Sequence, residues 1–202
     1  MRIRIKVQFF LLLAMTALST ASSVAHAQSA QAPTSQPRAE LAFDYSYLRS
    51  NAPPDGCDCF NLNGGSATFA WQFKPRSFAL VGDVSVAHTS GISSNNYSLT
   101  LSTFTAGGRY APRLGHSPLK PFGQILVGIA HSSGSLVEGQ SSTISNAGAA
   151  FAANVGGGID LRASRRISLR LVEADYLVTT FNNGVNDHQN NLRLSTGVVF
   201  HF

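Results

Sequence analysis

The stretch Leu192-Arg193-Leu194-Ser195-Thr196-Gly197-Val198-Val199-Phe200-His201-Phe202 decides the fold. Leu192, Leu194, Thr196, Val198, Phe200 and Phe202 fall on one side of an extended chain, and Arg193, Ser195, Gly197 and His201 on the other. A repeat of two is the period of a β-strand, because a helix of period 3.6 would scatter both sets around its axis. One side is greasy, the other polar.

The same alternation recurs upstream. Glu40 to Leu48 sets Leu41, Phe43, Tyr45 and Tyr47 against Glu40, Ala42, Asp44 and Ser46. Gly65 to Phe73 sets Phe69, Trp71 and Phe73 against Ser66, Thr68, Ala70 and Gln72, and Ser77 to His88 sets Phe78, Leu80, Val84 and Val86 against Asp83 and Ser85. Pro121 to His131 and Ala149 to Arg162 follow the rule with Ile125, Val127, Ile129, Phe151, Val155, Ile159 and Leu161. Two runs break phase. In Tyr97 to Arg109, Leu99 and Leu101 disagree with Phe104 and Tyr110, which predicts a bulge or an end effect. In Ile167 to Thr180, an outward Ile167, Leu169 and Leu171 require a shift before Glu173 and Asp175 can both face inward.

Eight such runs predict an all-β, eight-stranded antiparallel up-and-down transmembrane β-barrel over residues 39–202. Their connections are expected to alternate, long and polar after the first, third, fifth and seventh runs and short after the others. The short set gathers Lys74, Arg76, Arg113, Lys120, Arg165 and Arg166, and the long set Asp55, Asp58, Glu138 and Asp187. This places the short, cationic turns at the periplasmic leaflet.

Residues 1–27 read as a secretory signal peptide, with Arg2, Arg4 and Lys6, an apolar run from Val7 to Leu18, and the small-x-small site Ala25-His26-Ala27. Residues 28–38 are polar and Pro-bearing and read as a flexible leader. Three of the 15 basic residues leave with the signal and none of the 10 acids, so the mature chain carries a net +2 rather than +5. So few scattered cations give no nucleic-acid footprint.

Alternation alone does not separate a membrane barrel from a soluble one, which keeps its apolar residues inside. The low charge content, 12%, the opposite charges sharing the polar face, and the aromatics closing the apolar face favour the membrane. With the terminal Val198-Val199-Phe200-His201-Phe202, the chain resembles the small OmpA-like outer-membrane barrels. The resemblance implies outer-membrane lipid as solvent and the barrel-assembly machinery as a biogenesis partner, with Val198, Phe200 and Phe202 as the terminal assembly signal.

The polar face carries Glu40, Asp44, Asp83, Asp160, Glu173 and Asp175 with Arg109, Arg162, Arg170 and Arg193, which are expected to pair as a structural plug in a narrow lumen. Cys57 and Cys59 lie in the first long connection and read as a disulfide or redox pair rather than a metal site, with an intermolecular bond or free thiols as alternatives. No metal or cofactor is expected. His131-Ser132 and His88-Thr89-Ser90 are the nearest approach to a hydrolase pair of the kind the lipid A deacylase-like barrels use, but a triad is defined by geometry. The expected role is therefore a structural or surface-interaction barrel, not an open porin and not an enzyme. The alternatives are a small pore, a lipid-modifying enzyme, or a periplasmic lipocalin-like binder.

Overall fold

The computed structural model describes residues 38–50, 60–73, 77–92, 97–112, 114–115, 117–133, 149–181 and 188–202. The expected signal peptide and all but the last residue of the leader lie outside the described residues. Eight strands run in chain order: β1 Ala39–Ser50, β2 Phe60–Gln72, β3 Phe78–Ile92, β4 Tyr97–Tyr110, β5 Leu119–Ser133, β6 Ala149–Arg162, β7 Ile167–Thr179 and β8 Gln189–His201. Each pairs antiparallel with its successor, and β8 returns to β1 from Glu40↔His201 to Ser50↔Asn191, closing the barrel. Closure leaves no unpaired edge, the condition that lets strands cross a hydrocarbon layer. The end holding Ala39 and Phe202 is called proximal below, and the opposite end distal.

The wall is inverted relative to a soluble protein. Ile125 is 63% exposed and Leu80 55%, while Arg170 is 1% and Asp175 0%. In water such a surface would be a large aggregation patch, whereas facing acyl chains it is solvated. The eight-stranded transmembrane barrel expected from the period-two pattern is the fold found.

The two phase breaks have different origins. In β7 the pairing to β8 slips between Arg170 and Glu173, and Leu171 and Val172 both point outward. This bulge turns Arg170 and Glu173 to the same side despite their odd spacing. In β4 the pairing to β5 is continuous from Thr100↔Ser133 to Tyr110↔Gly123, so no bulge interrupts it there. Leu101 simply faces inward, among Leu48, Leu62, Ala87, Ala130, Ala152 and Leu177, which form an apolar layer across the distal lumen with Phe60, Leu99 and Phe181 packed against it. The pairing of β4 to β3 is irregular only at its distal start, where the register shifts between Ser90↔Ser98 and Ile92↔Tyr97.

The expected loop rhythm needs correction. β3 extends to Ile92 and β4 begins at Tyr97, so the third connection is shorter than the fourth, between Tyr110 and Leu119. β2 likewise starts at Phe60, with Asn61 to Gly65 paired against Tyr45 to Arg49. Polar and glycine-rich residues that read as loop are held in strands by pairing to a neighbour, Asn61 and Leu62 to β1 and Thr89 and Ser90 to β4, with both edges bonded from Asn63 and His88 inward, which overrides their weak β-propensity.

A narrow barrel also demands glycine where strands bend inward. A Cβ on Gly107 would lie 2.1 Å from the Ile125 carbonyl oxygen, whereas one on outward-facing Gly82 meets nothing within 4 Å. Gly107→Ala is expected to lower unfolding free energy in detergent micelles by about 1–3 kcal/mol, and Gly82→Ala by less than about 0.5 kcal/mol. Urea titration of both variants checks the contrast, and equal effects would contradict the close-approach explanation.

Candidate functional site

The lumen is filled by one polar network to which every strand contributes. Arg170 on β7 is its hub. Its Nη1 donates to Asp44 Oδ2 on β1 at 2.9 Å, its Nε donates to Asp160 Oδ1 on β6 at 3.0 Å, and Nη1 also makes an ion pair with Glu173 Oε2 at 2.6 Å. Arg193 on β8 is the second hub, with Nη1 at 2.9 Å from Asp83 Oδ1 on β3, Nη2 at 2.8 Å from Asp175 Oδ2, and the same Nη2 at 3.7 Å from Glu173 Oε1. Thr68 on β2 donates its hydroxyl to Asp83 Oδ2 at 2.9 Å.

Arg109 on β4 has no carboxylate in direct contact among the described residues. Its Nε and Nη2 donate to Gln124 Oε1 on β5 at 3.1 and 2.8 Å, and its guanidinium stacks 4.3 Å from the Phe122 ring centroid. The Arg170 guanidinium lies 4.9 Å from the same ring. Gln124 Nε2 in turn donates to Glu173 Oε1 at 3.0 Å and Asp175 Oδ1 at 3.3 Å, linking the two hubs. Planar forks with several fixed donors suit arginine to this task, since lysine offers one point charge.

A separate relay sits at the proximal mouth. His201 Nδ1 donates to Glu40 Oε1 at 3.2 Å, Gln72 Nε2 donates to the same oxygen at 2.6 Å, and His201 Nε2 meets Ser168 Oγ at 2.7 Å. The order Ser-His-Glu matches a catalytic relay, and no local motif in the sequence announced it, because the three residues come from β7, β8 and β1. Ser168 is 0% exposed, however, so no substrate carbonyl reaches its oxygen. The relay is a packed structural unit.

Most of the expected lumen residues therefore meet: Asp44, Asp83, Arg109, Asp160, Arg170, Glu173, Asp175 and Arg193 in the network, and Glu40 beside it. Arg162 does not. It keeps the phase of inward Asp160 and pairs with Ser168, but as the last residue of β6 it lies at the mouth, exposed, with Nε 3.4 Å from the Ser164 carbonyl oxygen. Cys57 and Cys59 lie outside the described residues. Val198 and Phe200 face outward on β8, where Phe200 makes an edge contact with Phe43 at 6.4 Å, and Phe202 is 70% exposed just beyond the strand.

Of the histidine-serine candidates, His131 and Ser132 separate, whereas His88 and Ser90, two residues apart in β3, are both exposed. His131 is exposed on the outer wall, and Ser132, its neighbour in a strand, projects to the opposite side. His88 is also outward, its Nδ1 2.9 Å from Thr100 Oγ1. Among the described residues every Asp and Glu faces the lumen, so neither histidine has a carboxylate beside it on the outer wall. No cluster of three or more potential metal ligands occurs among the described residues.

The barrel fold is shared with known structures. Neisserial surface protein A is 15% identical and superposes with a TM-score of 0.60, covering 81% of this chain and 97% of its own. The attachment invasion locus protein Ail of Yersinia pestis, solved with the heparin analogue sucrose octasulfate, is 16% identical with a TM-score of 0.52, covering 82% and 99%. The chain has the fold of small outer-membrane barrels. At such identities the likeness concerns the fold alone. No protein-family model and no curated protein matches the sequence.

Because Arg170 contacts three buried carboxylates at once, Arg170→Met is expected to cost about 3–5 kcal/mol, the range for breaking a buried ion pair. Arg170→Met combined with Asp44→Asn should recover part of that loss. Denaturant unfolding of both variants checks the prediction, and a double variant no better than the single would remove the network's claim to act as a unit.

Proposed function

We propose that this chain is an exported outer-membrane barrel of the OmpA-like type whose lumen is structural and whose partners meet its exterior, its distal connections above all. The observation that carries this reading is the double seal of the lumen. The ionic network fills the middle of the barrel, and the apolar layer of Leu48, Leu62, Leu101 and Leu177 crosses its distal end. An ion crossing that layer would shed its hydration shell without compensation.

The same observation argues against an open porin and a lumenal binding cavity of the lipocalin kind, and burial of Ser168 argues against hydrolysis by the one relay of catalytic pattern. Outer-membrane lipid and, during biogenesis, the assembly machinery are the partners implied by the apolar wall and by outward-facing Phe200 and Phe202. Function is then carried by the connections near residues 51–59, 93–96, 134–148 and 182–187, presented on a rigid frame.

Two measurements test this. Purified protein in planar bilayers is expected to give no large, stable current. Leu48→Ala with Leu62→Ala and Leu177→Ala is expected to open small cation-selective events, since five network carboxylates outnumber three guanidiniums. Deletion of residues 134–148 should leave heat-modifiable gel mobility intact while abolishing cell-surface binding phenotypes. A porin-sized current in the unaltered protein, or unchanged surface phenotypes after removal of all four distal connections, would overturn the proposal.

A further inference from the structure

The acids of the described barrel wall all face inward, which leaves its exterior with unmatched cations, and these are not evenly spread. Arg38, Arg162, Arg165 and Arg166 are all exposed and gather on one sector of the proximal rim. The turn between β6 and β7 is tightly built. Ala163 and Ser164 donate their N–H groups to the Ile167 carbonyl at 3.1 and 2.9 Å, and Ser164 Oγ accepts from the N–H groups of Arg166 and Ile167 at 3.2 and 3.0 Å. The turn is tied to β8 because His201 N–H donates to the Arg166 carbonyl at 2.8 Å. Across the closing seam, Arg38 N–H donates to the Phe202 carbonyl at 2.7 Å. Arg166 and Arg38 thus flank the end of β8.

No salt bridge among the described residues involves any of these four arginines. The acids of the adjoining strand ends are already committed, Asp160 on β6 to Arg170 and Glu40 on β1 to His201 and Gln72. Even with a terminal carboxylate at Phe202, the sector keeps a net positive charge. Immediately beneath it the outer wall is apolar, with Ile167, Leu169, Phe200 and Phe202 exposed.

We propose that this sector, the β6–β7 turn together with the β1–β8 seam, is a binding site for anionic phospholipid in the leaflet at the proximal end. It rests on the reading of the chain as a membrane barrel and adds a specific lipid class to it. The match is twofold. Guanidinium forks meet phosphate oxygens with paired hydrogen bonds, while acyl chains lie on Ile167, Leu169 and Phe200. A neutral headgroup gains only the second contact. The lipid spans the turn and the seam, so it also braces the last strand pairing that closes the barrel.

The test uses the full mature chain in nanodiscs of phosphatidylcholine containing a minor fraction of phosphatidylglycerol, with retained lipids counted by native mass spectrometry. Each basic residue near an anionic surface contributes roughly fivefold. Arg165→Gln with Arg166→Gln is therefore expected to cut the retained phosphatidylglycerol-to-phosphatidylcholine preference by about twentyfold, with raised salt weakening the unaltered protein in the same direction. Arg49→Gln, at an exposed position near the opposite rim, is expected to change nothing. Both exposed-site variants should keep heat-modifiable mobility, which separates lost binding from lost folding. Absence of preference in the unaltered chain, an undiminished preference in the double variant, or an equal loss in Arg49→Gln would each overturn the site. None of these outcomes bears on conductance, so the sealed-lumen reading stands or falls separately.

Discussion

Arg170 and Arg193 draw carboxylates from β1, β3, β6 and β7 into contact inside a barrel too narrow to admit bulk water, and the remaining architecture is arranged around keeping those charges matched. An isolated guanidinium or carboxylate at this depth would carry a desolvation cost of several kcal/mol. The cost is offset only when every partner arrives together, and the partners lie far apart in the chain: Arg170 is 126 residues from Asp44 and Arg193 is 110 residues from Asp83. Charge matching and barrel closure are therefore one event, because the last two strands reach their counter-ions on β1 and β3 only when the seam is formed.

Local irregularities serve the same end. The β7 bulge places Leu171 and Val172 outside together so that Arg170 and Glu173 meet inside. Gly156 faces the lumen where a Cβ would lie 2.1 Å from Asp175 Oδ1, so the absence of a side chain there is what gives that carboxylate room. Phe122 supplies a flat, polarisable surface against which two like-charged guanidiniums rest.

The lumen and the exterior differ in chemistry. Inside, an ionic middle adjoins an apolar distal layer. Outside, acids are absent from the described wall and exposed arginines mark the rims. The Ser168-His201-Glu40 relay shows why pattern is insufficient for chemistry: three residues stand in catalytic order at hydrogen-bonding distances, yet Ser168 has no exposed surface.

Period-two alternation, with Leu194 and Phe200 opposite Arg193 and His201, was enough to read the strands and their number, because a strand's two faces are local properties of consecutive residues; the inside-out wall needed in addition the low charge content and the opposite charges sharing the polar face. The charged residues of the lumen were legible for the same reason. Their pairing was not, nor was the meaning of Leu99 and Leu101, since strand register and shear decide which distant residues share a level of the barrel. Tertiary structure alone moved Arg162 out to the rim, separated His131 from Ser132, brought Ser168 to His201, and gathered Arg38 beside Arg166. In each case the deciding quantity was a distance across strands, and sequence spacing carries no record of it until the barrel closes.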